Sequence, residues 1–191
     1  MTIEQEVAAV CGTSECVASA GDTCRALDNM ASAIVRTVAS DNSLVMLCVM
    51  NGGLMVAAEL LKRISVDLTF DYIHATRYRD RNIGGSIEWR AVPARSLAGQ
   101  QVVVVDDIFD EGWTLAAIVD YCVAQGARSV TSVVLVDKRH ERKVPGFRPD
   151  VIGMVLPDRY LYGFGMDYKG YLRNRPAIYA LQDQGCSEAG D

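Results

Sequence analysis

The stretch VVVVDDIFDEGWTL (102–115) decides how this chain is read. Four consecutive valines have the β-branched, apolar character of a strand buried on both faces, and 102–106 is expected to be that strand. The run then breaks into Asp106 and Asp107, crosses two apolar residues and reaches Asp110, Gly112 and Thr114. A helical pattern follows, TLAAIVDYCVAQGA (114–127), with Gly126 placed as its C-terminal cap. A glycine-containing turn that opens a helix points several unpaired backbone N–H groups at one spot. With the helix dipole and the Thr114 hydroxyl, that makes an anion nest suited to a phosphate. Vicinal carboxylates at a strand end accept hydrogen bonds from a sugar diol and suit a Mg²⁺ that keeps much of its water. A phosphate nest beside a diol acceptor describes a receptor for a ribose 5-phosphate. The plainer reading, aspartates that cap a helix and keep a loop wet, fits an isolated Asp-Asp better than this longer pattern.

Working outward, SLVMLCVM (43–50) is a second continuous apolar run. It stops at Asn51-Gly52-Gly53, before the helical LMVAAELLKRI (54–64). VDLTFDYIHATRY (66–78) alternates and reads as a strand, followed by the polar loop RDRNIGGS (79–86) and a short strand at 87–91. SVTSVVLVDK (129–138), DVIGMVL (150–156) and AIYAL (177–181) supply further strands. Upstream, residues 22–40 carry Leu27, Met30, Ile34 and Val38 near helical spacing, with Asp22 as the expected cap. Apolar strands alternating with helices predict an α/β fold, a mostly parallel twisted sheet flanked by helices. Loops at 50–53, 106–114 and 137–139 then fall at the carboxyl ends of strands, the edge where such sheets bind ligands.

Bulk properties narrow the classes. At 191 residues the chain suits one domain, 50 % hydrophobic and therefore able to fold around a core. A net charge of -5 argues against a nucleic-acid footprint. No stretch approaches the roughly 20 apolar residues of a bilayer span, and no signal peptide is visible, so a cytoplasmic protein that does not engage a membrane is expected. Six cysteines (Cys11, Cys16, Cys24, Cys48, Cys122 and Cys186) lack metal-ligand spacing and are read as free thiols. The tail QDQGCSEAGD (182–191) is expected to fray.

The run from apolar strand through Asp-Asp and Asp-x-Gly-x-Thr to a helix resembles the 5-phosphoribosyl-1-pyrophosphate (PRPP) motif of type I phosphoribosyltransferases. Residues 135–181 resemble the C-terminal half of the hypoxanthine-guanine members. The matching pieces are a strand ending in Lys138, then Pro157-Asp158 with an aromatic at Tyr160, a glycine-rich turn into Asp167-Tyr168, and an arginine shortly after. With the central motif the resemblance covers about residues 43 to 181. It implies the type I fold with a small hood element over the base site, the whole of 1–191 being one domain to whose hood 1–42 and 157–191 contribute. It also implies Mg²⁺-dependent purine salvage, with PRPP, hypoxanthine, guanine, IMP, GMP and pyrophosphate as partners, and assembly into a homodimer or homotetramer.

Carried over by position, the resemblance makes Asp110 the catalytic base near purine N7. Asp106, Asp107, Asp110, Glu111, Gly112, Trp113 and Thr114 become the ribose and phosphate receptor. Lys138 would donate to purine O6, Tyr160 would stack on the base and Leu161 would offer backbone contacts. Asp167 stands at the purine end and would hold a second Mg²⁺, the first lying at Asp106 and Asp107. Asn51, Gly52, Gly53 and Arg173 would bind pyrophosphate, in a loop that carries a non-proline cis peptide in the family; Arg175 is the alternative to Arg173. Arg77 and Tyr78 stand where the family keeps Ser-Tyr on a flap, and Arg77, Arg79, Arg81 and Arg90 either close over an anion or form a solvated basic loop. Three positions depart from the family pattern: Asn51 where lysine is frequent, and Glu111 and Trp113 within the phosphate motif. Glu111 is expected to face solvent and Trp113 to pack under the loop. A xanthine-preferring enzyme and a non-catalytic PRPP-binding regulator are the two rival readings.

Overall fold

The computed structural model describes residues 2–38, 43–77 and 87–182. In chain order the elements are α1 (Ile3–Thr13), β1 (Glu15–Ala18), α2 (Ala20–Thr37), β2 (Leu44–Val49), α3 (Gly53–Leu61), β3 (Thr69–Arg77) and β4 (Ile87–Ala91). They continue with β5 (Gln101–Phe109), α4 (Trp113–Ala124), β6 (Ser129–Arg139), β7 (Val151–Pro157), β8 (Leu161–Tyr162) and β9 (Ile178–Ala180). Six strands form one sheet in the order β4-β3-β2-β5-β6-β7. Its pairs are parallel except β3–β4, which is antiparallel.

The valine run takes the central place its composition demands. Val103 and Val105 face the core beneath α2 and α3, Val102 and Val104 the core beneath α4, and none is more than 1 % exposed. Each buried valine contributes on the order of 1.5–3 kcal/mol, which fixes β5 between two helical layers. The strand does not stop at Asp106 as expected. Its pairing with β6 continues to Phe109 opposite Asp137, so the paired aspartates belong to the strand and not to the loop after it.

α2 is amphipathic, with Leu27, Met30 and Ile34 buried on the sheet. Its cap is Ser19, not Asp22. Asp22 sits three residues on and returns a hydrogen bond to the Ser19 N–H, forming a capping box. At the end of α4 the cap is Gln125, with Gly126 just beyond it at φ 79°.

A second, antiparallel sheet of order β1-β9-β8 stands apart from the first. It is the small hood. Of residues 1–42, β1 joins this sheet, whereas α2 covers β6 and β7 of the main one. The sequence reading omitted α1, β1 and β8. α1 has no fully buried residue, but Val7, Val10 and Cys11 pack against Tyr162, Tyr168 and Leu172, and Glu6 pairs with Tyr168 and Lys169. Among the described residues no helix is long and apolar enough to cross a membrane, and the described cysteines are free; Cys186 and most of the tail lie outside them.

Candidate active site

Beyond the carboxyl ends of β2, β3 and β5 lies a cavity of about 360 Å³, within the range of small-molecule sites. Its walls bring together Gly52, Arg77, Asp106, Asp107, Asp110, Glu111, Gly112, Trp113, Thr114, Asp167 and Arg173. Sequence positions more than 100 residues apart thus converge because the parallel strands all end on one edge.

The acidic pair forms the floor. The Asp106 carboxylate accepts the Asp107 N–H at 2.9 Å, and Asp107 is 8 % exposed. Burial pushes both carboxyls above the usual aspartate range. The neighbouring Asp107 charge raises Asp106 further, while the hydrogen bond with Asp106 and the charge of Arg173 pull Asp107 part of the way back. Among the described residues neither carboxylate has an ion-pair partner. Two adjacent hard oxygen donors suit a divalent cation of the Mg²⁺ kind, whose charge would favour their ionised form. Beneath them the Cys48 thiol is pushed up to about 12 by burial and by the two aspartate charges, so it stays protonated.

The loop of Asn51, Gly52 and Gly53 needs both glycines. A Cβ on Gly52 would lie 1.9 Å from an Asp107 oxygen, and one on Gly53 would lie 2.6 Å from the Val105 carbonyl. The Met50–Asn51 peptide is cis. Asn51 is exposed and, like Gly53, does not line the cavity.

The turn that opens α4 starts on a left-handed glycine, and two expectations about it are corrected. Gly112 caps α4 at φ 88°, and a Cβ there would strike the Phe109 ring at 2.1 Å. No side chain caps the helix, so its first N–H groups remain available to an anion. Glu111 does not face solvent freely: it is ion-paired with Arg77 and lines the cavity. Trp113 does not pack under the loop; it is 43 % exposed, with the Arg77 guanidinium 5.4 Å from its ring centre. Phe109 is the residue underneath, held by Phe147 and by the Lys143 ammonium. The positions that depart from the family pattern at 111 and 113 therefore meet at Arg77. Tyr78, Arg79 and Arg81 lie outside the described residues, and Arg90 is exposed beside Glu88.

Asp110 is the junction. Its Oδ2 accepts from the Lys138 Nζ at 3.0 Å and its Oδ1 lies 2.6 Å from the His140 Nε2. Burial would raise the carboxyl, but the His140 and Lys138 hydrogen bonds and the Lys138 charge outweigh it and hold it below the usual range. Lys138 is 9 % exposed and also reaches Asp158 at 3.4 Å. Asp110, His140 and Asp158 present three ligand atoms close enough for a metal ion, but the Lys138 ammonium already serves two of them as the cation. Nothing local in the sequence marks His140, an imidazole whose partner is 30 residues upstream.

On the hood side, Asp167 accepts from Gly170 N–H at 2.6 Å and pairs with Arg173, also at 2.6 Å. Arg173 further donates to the Gly165 carbonyl at 2.6 Å, in a turn that approaches the Gly52 carbonyl so closely that a Cβ on Gly165 would clash. The two arginines point differently: Arg173 lines the cavity, and Arg175 turns to Cys11 of α1. Lys138, Tyr160 and Leu161 do not line this cavity. Lys138 adjoins it through Asp110, and Tyr160, 49 % exposed, through a hydrogen bond to the Asp167 carbonyl at 3.1 Å. Leu161 is buried in β8 opposite Ala180.

A mostly parallel sheet, an acidic pair and a glycine-capped turn at its carboxyl edge make a cavity suited to a sugar phosphate, and residues 17–156 match the model of the phosphoribosyl transferase domain. The chain belongs to the phosphoribosyltransferase family. It is 27 % identical over 163 residues to the hypoxanthine-guanine phosphoribosyltransferase of Aquifex aeolicus, covering 85 % of this chain and 91 % of that one. It is 30 % identical over 152 residues to the enzyme of the same name from Cricetulus griseus, covering 74 % and 69 %. A crystal structure of a hypoxanthine-guanine phosphoribosyltransferase from Bacillus anthracis superposes with a TM-score of 0.83 at 26 % identity, covering 88 % of this chain and 99 % of the other.

Proposed function

We propose that the protein transfers the 5-phosphoribosyl group of PRPP to N9 of hypoxanthine or guanine in purine salvage, giving IMP or GMP and pyrophosphate. The hydrogen-bonded bridge from Asp110 to Lys138 carries the reading. It joins an anion nest and an acidic pair on one side to a nearly buried ammonium on the other, so a sugar phosphate and a base with an acceptor meet at one carboxylate.

In this scheme Gly112, Trp113 and Thr114 offer N–H groups to the 5-phosphate, with Glu111 turned aside to Arg77. Asp106 and Asp107 fix the ribose hydroxyls. Asn51, Gly52, Gly53 and Arg173 receive the pyrophosphate, with Arg77 and Tyr78 at its open side. Mg²⁺, held at Asp106 and Asp107 and again at Asp167, supplies neutralisation of the pyrophosphate charge when bound. N9 attacks C1 of the ribose, the C1–O bond breaks with its electron pair leaving on pyrophosphate, and the base's N7 proton passes to Asp110. The transition state has oxocarbenium character, as in other glycosyl transfers. Of the three Lys138 donors, two serve Asp110 and Asp158, and the third remains for purine O6. Adenine carries a donor there, and a site built to donate rejects such an analogue by factors on the order of 10⁴–10⁵. Tyr160 stacks on the base and Leu161 meets its edge with backbone groups. We further propose that residues 1–191 form one domain, with 1–42 and 157–191 contributing to the hood, acting in the cytoplasm as a homodimer or homotetramer.

The test is incubation of the purified protein with Mg²⁺, PRPP and, in turn, hypoxanthine, guanine, xanthine and adenine, with pyrophosphate and nucleotide measured. Nucleotide from hypoxanthine or guanine and none from adenine is expected. Xanthine as the preferred base would overturn the assigned specificity. PRPP binding without product from any base would overturn the reaction itself.

A further inference from the structure

Asp110 is gripped by a side chain that the scheme above leaves without a task. His140 follows the last residue of β6, and its imidazole is 4 % exposed. Its Nδ1 accepts the backbone N–H of Arg142 at 3.1 Å, while Nε2 lies 2.6 Å from Asp110 Oδ1. Only a bare ring nitrogen accepts an N–H, so this pair of contacts assigns the tautomer: Nδ1 is unprotonated and Nε2–H points at Asp110.

We infer that His140 is a positioning residue for Asp110, anchoring Oδ1 so that Oδ2 stays aimed at the bound base. The inference rests on the reading that Asp110 acts on the purine. Its force comes from comparing the two donors on that carboxylate. Lys138 divides its donors between Asp110 and Asp158 and has a purine oxygen to serve in addition. His140 has one N–H, which is spent on Asp110, and its other nitrogen is already engaged by the backbone. The grip on Oδ1 therefore persists while Lys138 reorganises around a base.

The frame around the imidazole is stiff enough for that purpose. Val144 N–H donates to the Glu111 carbonyl at 2.7 Å, and Lys143 Nζ reaches both the Phe109 carbonyl and Asp137 at 2.8 Å. The segment that carries His140 is thus tied on both sides of Asp110, and the imidazole completes the set at the carboxylate itself. A placement error of about 1 Å at a reacting group costs up to about a hundredfold in rate, so a single such anchor has a kinetic signature.

His140→Leu and His140→Gln are compared with the unmodified enzyme, using hypoxanthine, PRPP and Mg²⁺. The leucine removes the donor while filling the space, and the glutamine restores an N–H. The leucine variant is expected to lose about tenfold to a hundredfold in kcat with KM for PRPP changed less than about twofold, and the glutamine to recover most of the loss. Unchanged kcat, or a fall that glutamine does not repair, overturns the inference. A second measurement is independent of turnover and of how the His140 variants fold. The imidazole ¹⁵N shifts of His140 in the unmodified protein should report a bare Nδ1 and a protonated Nε2, with the Nε2 signal displaced in Asp110→Asn. A mixture of tautomers, or no response to Asp110→Asn, overturns it as well. If the unmodified protein turns over no base, the activity reading fails, and the nitrogen shifts alone decide whether His140 holds Asp110.

Discussion

Asp110 and Lys138 are the residues at which electrostatics and chemistry are hardest to separate, because each is the other's partner. Asp110 is held ionised by its two donors, which suits a group that must accept a proton late and not sooner. Asp110→Asn keeps the size and loses that capacity. It should lower kcat by about 10²–10⁴-fold while PRPP affinity, measured by titration calorimetry, stays within a few-fold. If affinity falls as far as turnover, Asp110 binds sugar and does not act on the base. Lys138→Ala tests the other end. It removes the proposed O6 donor and also strips Oδ2 of its partner, so KM for hypoxanthine should rise and kcat fall together, with KM for PRPP nearly unchanged in steady-state assays.

At the scale of elements, the β5–α4 connection is set by one residue that must be glycine. Gly112 occupies the left-handed region at φ 88° and lies where a Cβ would enter the Phe109 ring, which is itself 3 % exposed. Gly112→Ala combines strain of order 1–3 kcal/mol with displacement of a packed ring. A melting temperature lower by several degrees is expected, with a larger loss in PRPP affinity, since the nest moves with the loop. Stability loss with unaltered PRPP binding would show that the phosphate sits elsewhere. The same connection shows how Glu111 would be tolerated beside the proposed phosphate site: Arg77 at the end of β3 pairs with it and lies over Trp113.

Over the whole molecule, the ligand-free fold carries an electrostatic cost on its floor. The folded-state values of Asp106 and Asp107 are raised, so protonation is favoured in the native state, and their contribution is least unfavourable near and below the ordinary aspartate value of 3.8. As pH rises through the raised values the pair ionises and stability declines. Asp110 has the opposite sign: its value is depressed, so its contribution is present above the ordinary aspartate value and is lost as pH falls through the lowered one. Near neutral pH the floor is therefore a penalty that a cation or a neutral substitute relieves. Asp106→Asn should raise the melting temperature of the metal-free protein, by about 2–4 °C for each kcal/mol relieved, and should blunt the further rise that Mg²⁺ produces in the unmodified protein. A melting temperature indifferent to both changes would show that the pair carries no such penalty in the native state.

What the sequence determined by itself was whatever depends on near neighbours. The valine run, the Asp-x-Gly-x-Thr turn and the apolar runs at 43–50 and 129–138 each require a particular local conformation, and together they fix a parallel sheet with its loops on one edge. Both loop glycines were legible as close approaches, although only the fold shows that Asp107 and Val105 are what they approach. α1, β1 and β8 escaped because β1 and β8 are only four and two residues long and α1 has no fully buried residue, while α1 and β1 find their partners some 150 residues away. The tertiary structure alone decided the direction of side chains: Arg173 inward and Arg175 outward, Glu111 onto Arg77, His140 onto Asp110. The contacts of Glu111, His140 and Arg175 join residues 30 or more apart in the chain, and such pairings leave no periodicity to be read.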